Sequence, residues 1–534
     1  MTSGPSGAAV PRHRRGTRRG RAEPRSADDG GQAPDERELA LLGRPMPLDP
    51  VRGWIVTLVV TAIGAVLRLW NLGSPTDGGT PVFDEKHYVP QAWQMLRNGG
   101  FEDNYGFTLI VHPPLGKQLI AVGEWLFGYN AIGWRFTAAV AGILIILLTI
   151  RITRRLTRST LLGGAAGVLV IVDGMMHLQS RIGMLDIFLV LFVLAAFGCV
   201  LRDREQVRQR LAEAVRQGWI GESPYGPRLG MRWWRFGAGV CLGLACAVKW
   251  SGLYFVVAAG LLVLIFDITA RRTAGVAKPV RATLRLDLLP AAFALGAMTL
   301  LVYLASWWAW LGSETATDRH YVEVNQVGHG ALAFLPDALR SLGHYTLEIY
   351  RFHSTLDTPD GDPHPWESKP WTWPMGLRPM LYHYESGEEV TGCGQSECVE
   401  AAMLIGTPAL WWLALPLLAW ALWRAVFRLD WRYGFVLTGY LAGFLPWFAN
   451  LDRQMYFFYA APMAPFLVIG ITLVLGHLLG SANSGDERRT TGLLAVSLYI
   501  GLAVANFIWL WPVLNAEAIT QQEWDARMWL PSWR

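Results

Sequence analysis

Eleven long apolar runs constrain the fold of this chain more than any other feature of its sequence. They lie near residues 54–72, 129–150, 159–175, 184–201, 233–248, 250–270, 287–311, 404–424, 432–449, 457–480 and 491–513. A helix needs roughly 17–25 apolar residues to cross a bilayer, and these runs meet or approach that length. Because lipid cannot satisfy backbone polar groups, such runs are expected to be helical. We therefore predict an all-α polytopic membrane protein with about eleven transmembrane helices.

The composition agrees with a membrane protein. Of the 534 residues, 52% are apolar and only 17% are charged, whereas soluble proteins carry about 25% charged residues. The 26 tryptophans are typical of a chain with membrane–water interfaces, where this residue collects. The net charge of +5 does not indicate a nucleic-acid partner, because the arginines lie in short stretches between apolar runs.

The distribution of these charges predicts the orientation of the chain. Lys and Arg stay on the cytoplasmic side of a membrane, and they occur in the connections 151–158, 202–232, 271–286, 425–431 and 481–490. The connection 312–403 instead contains five Lys or Arg and fourteen Asp or Glu, so we expect it outside. The N-terminus is then cytoplasmic and the C-terminus extracytoplasmic. Two of the runs, 159–175 and 233–248, are short or glycine-rich, so the number of helices could differ by one.

Three regions follow from this topology. They are a disordered, Arg-rich cytoplasmic tail (1–50), a transmembrane domain (51–513) and an outer C-terminal tail (514–534). The tail is predicted to be disordered because it cannot bury enough apolar surface to fold. The transmembrane domain includes two large outer loops, 73–128 and 312–403. Cys393 and Cys398 lie in the second loop and could form a disulfide if that loop is outside.

The first outer loop contains residues suited to chemistry. Asp84 and Glu85 are adjacent, and crowded, partly desolvated carboxylates raise the pKa of one of the pair, which suits a general base. An ordinary helix N-terminus, where acidic residues are common, is the alternative interpretation. His112 and Lys117 flank Pro-Pro-Leu-Gly, and the prolines restrict the backbone there. Lys117 is either an anion ligand or a snorkelling residue at a helix entry.

Further charged residues lie near the predicted outer ends of spans. They are Arg68, Arg135, Arg181, Asp186, Lys249 and Arg453. Ionisable groups within spans are costly and by default mark a function or a specific pair. Arg181 and Asp186 could simply pair with each other, and Lys249 could be no more than an interfacial turn. Several cations beside one acidic pair suggest an anionic substrate that arrives through the lipid.

The second outer loop contains a segment dense in Trp and Pro at residues 367–379. We expect it to form a rigid, partly apolar surface that lies on the membrane or binds a sugar or peptide by aromatic stacking. An interfacial aromatic belt is the alternative interpretation.

Taken together and in this order, these motifs resemble the protein O-mannosyltransferases. The resemblance depends on Phe83-Asp84-Glu85, the segment from His112 to Lys117, Arg135, Lys249-Trp250-Ser251-Gly252, and the segment from Ser368 to Pro379. The segment from Asp452 to Tyr459 is similar to the actinobacterial branch of this family. The resemblance covers about residues 54–513. It implies a GT-C fold glycosyltransferase that transfers mannose from polyprenyl-phosphate mannose to Ser or Thr of proteins crossing the membrane, usually beside the translocon.

The resemblance also implies roles for individual residues. Asp84 would be the general base that deprotonates the acceptor hydroxyl, and Glu85 would position the acceptor or tune Asp84. The residues expected to bind substrate, chiefly the donor phosphate, are Arg135, Arg453, Lys117, His112, Lys249, Arg181 and Asp186. A single displacement would invert the anomeric carbon.

No cofactor is expected beyond the lipid-linked donor. The sequence shows no His/Cys cluster with metal-ligand spacing, although the acidic pair could attract a divalent ion. We expect the active site on the extracytoplasmic face of the plasma membrane. Two alternatives remain open. The enzyme could use another lipid-linked sugar or a glycan or lipid acceptor. Less in keeping with the sequence, the chain could be a transporter, but transporters usually place charges at the midplane and often contain inverted repeats, whereas these charges cluster near the outer face and the sequence shows no repeat.

Overall fold

The computed structural model describes residues 51–102, 111–328, 330–358, 363–387, 390–480 and 485–534, together with Leu42, Gly43 and Met46. The predicted disorder of the N-terminal tail therefore lies outside the described residues, apart from these three positions.

Helices make up most of the described chain. Those of the first half are α1 (Val51–Leu69), α2 (Glu85–Arg97), α3 (Leu115–Phe127), α4 (Ala131–Thr157), α5 (Thr160–Ile171), α6 (Gly174–Gln179), α7 (Asp186–Arg216), α8 (Trp233–Val248), α9 (Gly252–Thr273) and α10 (Pro279–Ser306). Those of the second half are α11 (Trp308–Gly312), α12 (Tyr321–Val324), α13 (Asp337–Ser354), α14 (Pro408–Trp411), α15 (Ala414–Phe427), α16 (Trp431–Phe444), α17 (Ala464–Leu479), α18 (Asp486–Asn515) and α19 (Gln521–Arg527). Short 3₁₀ helices occupy Pro370–Met375, Leu445–Ala449, Phe457–Met463 and Pro531–Trp533.

Every predicted apolar run coincides with helix. Seven of the described helices are long and apolar enough to cross a membrane, so the chain is a multi-pass membrane protein as predicted. The runs within α5 and α8 are shorter apolar helices, and α7 and α16 supply the remaining two. The number of eleven spans and the orientation of the termini stay predictions.

Close approach between helices depends on small residues, as is common in membrane proteins. A Cβ atom at Gly239 of α8 would lie 1.8 Å from the carbonyl oxygen of Ala294 in α10. A Cβ atom at Gly439 of α16 would lie 2.2 Å from the ring of Phe466 in α17. These two contacts bring backbone or ring atoms to a separation that only glycine permits.

A buried charge network joins the middle of α7 to the N-terminal end of α8 and the C-terminal part of α9. Arg232 and Arg235 each contact both Asp203 and Asp267, at N–O distances of 2.5–3.1 Å. Two arginines and two aspartates balance in charge, which is how a buried ionic cluster avoids an uncompensated charge. This network fixes α7, which begins with Asp186, against α8 and α9, which flank Lys249.

The two long connections, 70–130 and 307–407, contact each other, and we call the end of the helical bundle where they meet the loop side. The imidazole Nε2 of His353 lies 2.7 Å from the carbonyl oxygen of Val111. The ring of Phe83 stacks on that of Tyr382, with ring centroids 4.6 Å apart. The first connection contains α2 and α3, and the second contains α11–α13 and two strands.

These strands make the all-α prediction incomplete. Strands β1 (Met380–Gly387), β2 (Cys398–Leu404) and β3 (Ile519–Thr520) form an antiparallel sheet in the order β1-β2-β3. A bulge between Leu381 and His383 interrupts the β1–β2 register, and a Cys393–Cys398 disulfide closes the turn between these strands. The sheet was missed because β3 has only two residues and comes from the tail, more than 100 residues from its partner β2.

Candidate active site

A cavity of about 990 Å³ opens on the loop side of the bundle. At its polar end lie His112, Asp186, Lys249, His353 and Arg453. The other walls come largely from α9, α10 and α13 and are mostly apolar. The cavity therefore combines a cationic end with a long apolar wall, as an amphipathic anion such as a phospholipid-like molecule requires.

Lys249 and Asp186 form an ion pair in this cavity. Lys249 follows the last residue of α8, and Asp186 is the first residue of α7. The Lys249 Nζ lies 2.8 Å from an Asp186 carboxylate oxygen, and both residues are buried. The ammonium also lies 5.5 Å and 5.9 Å from the ring centroids of Phe458 and Tyr459. The alternative in which Asp186 pairs with Arg181 is thus wrong, and Lys249 does more than form an interfacial turn.

Arg453 reaches the cavity from the segment before the 3₁₀ helix Phe457–Met463, and His353 holds it there. The Arg453 Nη1 donates to the carbonyl oxygen of His353, and Nη2 lies 3.3 Å from the imidazole Nδ1. Since the guanidinium can only donate, Nδ1 accepts, and Nε2 is the nitrogen that donates to the carbonyl of Val111. Burial lowers the pKa of His353 to about 4, so the ring is neutral at physiological pH.

His112 stacks on this imidazole, with ring centroids 5.1 Å apart. Burial, together with the positive charge of Lys249, lowers the pKa of His112 well below its usual value. Two neutral imidazoles therefore line the polar end beside two cations. His353 was missed by sequence reasoning, because nothing in the amphipathic pattern of α13 distinguishes it from a helix surface residue.

Asp84 lies beside this end of the cavity, although it is not among the residues that line it. It occupies the N-cap position of α2, and the preceding Phe83 has a positive φ of 49°, a conformation rare for a bulky residue. The Asp84 side chain is half-buried, and within the described part of the chain no group donates a hydrogen bond to its carboxylate. Burial raises the pKa of Asp84 to about 6, and the nearby charges of Lys249 and His87 oppose this rise.

Glu85 and Arg135 form a fully buried pair. The Arg135 Nε and Nη2 each lie 2.7 Å from a Glu85 oxygen. Arg135 also donates to the carbonyls of Leu72 and Pro75, and Glu85 also accepts from the backbone N–H of Gly183 at 2.6 Å. The pair therefore ties the backbone at residues 72–75 and at Gly183 to the turn that carries Asp84.

Lys117 and Arg181 also lie outside the cavity lining. Lys117 pairs with the buried Glu102. Arg181 donates to the carbonyl oxygens of Leu67, Arg68, Trp70 and Asn71, at 2.5–3.2 Å. These carbonyls lie at the C-terminal end of α1, which lacks intrahelical donors. Lys117 and Arg181 thus neutralise or hydrogen-bond nearby protein groups. By contrast, His112, Asp186, Lys249 and Arg453 line the cavity near Asp84.

In the part of the chain that the structure describes, no three His, Cys, Asp or Glu side chains come together as a metal site would require. The hypothesis that Asp84 and Glu85 share a divalent ion meets a further difficulty, because Arg135 already contacts both oxygens of Glu85.

Family models match most of this architecture. Residues 129–305 match the family described as dolichyl-phosphate-mannose-protein mannosyltransferase. Residues 339–533 match the C-terminal four TMM region of protein-O-mannosyltransferase. The first match includes Arg135, Asp186 and Lys249, and the second includes His353 and Arg453.

Bacterial relatives are similar over almost their whole length. A polyprenol-phosphate-mannose–protein mannosyltransferase from Mycolicibacterium smegmatis is 58% identical over 91% of this chain and 94% of its own. The protein of the same name from Mycobacterium tuberculosis is 57% identical over 91% and 93%. That from Corynebacterium glutamicum is 42% identical over 89% and 92%.

A solved structure shows that the fold is shared as well. The S. cerevisiae protein O-mannosyltransferase Pmt1–Pmt2 complex bound to the sugar donor matches with a TM-score of 0.70, over 93% of this chain and 94% of that chain, at 14% identity. The predicted GT-C type of helical architecture is confirmed at this level. With relatives this similar over nine-tenths of its length, the chain belongs to the protein O-mannosyltransferase family of glycosyltransferases, as its sequence motifs predict.

Proposed function

We propose that this protein mannosyltransferase takes mannose from polyprenyl-phosphate mannose and attaches it to Ser or Thr hydroxyls of proteins. The observation that carries this proposal is the cavity whose polar end holds Lys249 and Arg453 next to the half-buried carboxylate of Asp84. The cationic end of the cavity suits the phosphate of the donor, and the apolar walls suit its prenyl chain.

The donor phosphate binds between Lys249 and Arg453 in this proposal. Lys249 is already partly neutralised by Asp186, so Arg453 supplies the larger uncompensated positive charge. Its Nε has no hydrogen-bond partner within the described chain and is a free donor. Positive groups fixed at the leaving oxygen stabilise the charge that develops on the phosphate as the sugar departs. The prenyl chain then follows the apolar walls from α9, α10 and α13.

Asp84 acts as the general base in a single displacement. Its carboxylate accepts the proton of the acceptor hydroxyl while the hydroxyl oxygen forms a bond to the anomeric carbon. The bond from that carbon to the phosphate oxygen breaks, and the oxygen leaves with the electron pair. The attack comes from the face opposite the phosphate and inverts the configuration. A pKa of about 6 keeps Asp84 ionised near neutral pH while leaving it more basic than an ordinary aspartate.

Glu85 and Arg135 act by holding Asp84 rather than by touching the donor. Their mutual contacts occupy both oxygens of Glu85 and two nitrogens of Arg135. The third nitrogen, Nη1, donates to Leu72. We thus propose a positioning role for this pair, in place of the substrate contacts that the resemblance implies. Lys117 and Arg181 also contact other protein groups, Glu102 and the end of α1 respectively, and not the donor in this proposal.

The active site faces the extracytoplasmic side of the plasma membrane in this proposal, with about eleven spans and a cytoplasmic N-terminus. Two features support that orientation. The Cys393–Cys398 disulfide lies on the loop side, and disulfides persist in oxidising compartments. Arg154 and Arg155 lie at the opposite end of α4, where the positive-inside rule expects them. Delivery of acceptors by the translocon stays a prediction.

The test uses membranes containing the protein, polyprenyl-phosphate [³H]mannose and a peptide rich in Ser, Thr and Pro. We expect the wild type to label the peptide and Asp84→Asn to reduce labelling by roughly 10²–10⁴-fold, the usual contribution of a general base. Lys86→Met is the matched control, because Lys86 pairs with Asp77 on the exposed surface of the same loop. Wild-type labelling by Asp84→Asn at equal expression would exclude Asp84 as the base. An intact donor that labels no peptide would exclude this substrate pair.

A further inference from the structure

The Trp/Pro-rich segment contains a lysine with an unusual set of partners. The Nζ of Lys369 donates to the carbonyl oxygens of Leu451 at 2.8 Å and Arg453 at 3.1 Å. It also lies 2.6 Å from a carboxylate oxygen of Glu367 and 3.2 Å from the hydroxyl of Thr358. One ammonium thus connects the segment that bears Arg453 to the second long connection.

Backbone contacts strengthen this connection on both sides of Arg453. The N–H of Thr358 donates to the carbonyl of Asp452, and the N–H of Gln454 donates to that of Leu356, both at 2.9 Å. The N–H of Ser368 donates to the carbonyl of Met455 at 2.8 Å. The segment 451–455 is thus hydrogen-bonded, like a short strand, to residues 356–358 and Ser368 of the second long connection. Lys369 adds hydrogen bonds to the carbonyl oxygens of Leu451 and Arg453 in the same segment.

Trp373 anchors the Trp/Pro-rich segment to the protein interior, whereas Trp371 two residues earlier stays 56% exposed. Trp373 is fully buried, its indole N–H donates to the hydroxyl of Ser368 at 2.9 Å, and its ring contacts those of Trp447 and Tyr459. Trp373 thus supports the cavity wall from behind, while the exposed Trp371 leaves the predicted membrane-lying or stacking surface a prediction.

We propose that Lys369 is a positioning residue that holds Arg453 at the donor phosphate, an inference that rests on the proposed role of Arg453. Lys369 does not line the cavity, so it acts through Arg453. Without its ammonium, two carbonyl oxygens lose their donor and the carboxylate of Glu367, only 6% exposed, loses its counter-charge. The segment 451–455 then moves so that water can solvate these carbonyls and the Glu367 carboxylate. The Arg453 guanidinium moves with the segment.

The test measures the KM for polyprenyl-phosphate mannose, the KM for the acceptor peptide and kcat. We expect Lys369→Met to raise the donor KM by up to about 100-fold, since a misplacement of 1 Å can cost that much, with the acceptor KM nearly unchanged. Lys369→Arg, which keeps the charge and the donors, should restore much of the donor affinity. Lys86→Met is again the control. If Lys369→Met yields too little folded protein, Glu367→Gln weakens the same contact and should raise the donor KM less.

Arg453→Met separates this inference from the proposal beneath it. If that variant leaves both the donor KM and kcat unchanged, Arg453 does not contact the phosphate and the proposed function loses that contact. If Arg453→Met raises the donor KM but Lys369→Met and Glu367→Gln do not, the positioning inference alone is overturned. The double variant Lys369→Met with Arg453→Met should match Arg453→Met by itself, because Lys369 then has nothing left to position. Full additivity of the two effects would contradict the inference.

Discussion

The Glu85–Arg135 pair offers the sharpest test of how the site is built. Both side chains are fully buried, and each oxygen of Glu85 accepts from one guanidinium nitrogen at 2.7 Å. Removing one partner of a buried pair leaves the other charged and unsolvated, which costs roughly 3–5 kcal/mol. Glu85→Ala also removes the acceptor for the N–H of Gly183, so we expect it at the upper end of that range.

A double-mutant cycle distinguishes a structural pair from two independent substrate ligands. The variants are Glu85→Ala, Arg135→Ala and both together, measured by unfolding of the purified protein in detergent. Because the double variant leaves no orphaned charge, its loss of stability should be smaller than the sum of the single losses by about 1–3 kcal/mol. Both single variants should lose transfer activity through reduced folding and a displaced Asp84.

Direct binding of the donor phosphate by Arg135 would give a different result. If Arg135→Ala unfolds like the wild type but raises the donor KM, then Arg135 contacts the phosphate as the family resemblance implies. Lys86→Met provides the comparison, because its exposed ion pair with Asp77 should contribute little to stability.

Four further outcomes are expected. With a pKa of about 6, Asp84 is roughly nine-tenths ionised at pH 7 and one-tenth at pH 5, so transfer should fall about tenfold between these values; an unchanged initial rate would contradict the base assignment. A membrane-impermeant maleimide should label Cys393 and Cys398 on intact cells only after reduction, and labelling without reductant would exclude the disulfide. Lys249→Gln should raise the donor KM measured with labelled mannose, since the cavity loses a cation. Arg181→Ala should lower thermal stability, because four carbonyls at the end of α1 lose a donor and that of Asn71 keeps the N–H of Ser74; an unchanged melting temperature would show that water replaces the guanidinium.

The membrane class and the family could be predicted from the sequence because both depend on local features. An apolar run long enough to span a bilayer specifies a helix wherever it occurs, and every run coincides with one. Motifs such as Asp84-Glu85 and Lys249-Trp250-Ser251-Gly252 are contiguous, so their chemistry is visible without a fold. The small sheet was missed because its third strand joins from the C-terminal tail.

The pairing of the charged side chains could not be predicted from the sequence, because it depends on the packing of distant segments. The predicted cations looked alike in sequence, yet Arg135 pairs with Glu85, Lys249 with Asp186, and Arg453 with a histidine 100 residues earlier. Electrostatic energy depends on the distance between charges and on burial, and neither is a property of a residue or its neighbours in sequence. The sequence predicted that these cations and carboxylates lie on the same side of the membrane. The packing of helices decided that some of them hold the scaffold while Lys249 and Arg453 are left at the cavity, next to Asp84.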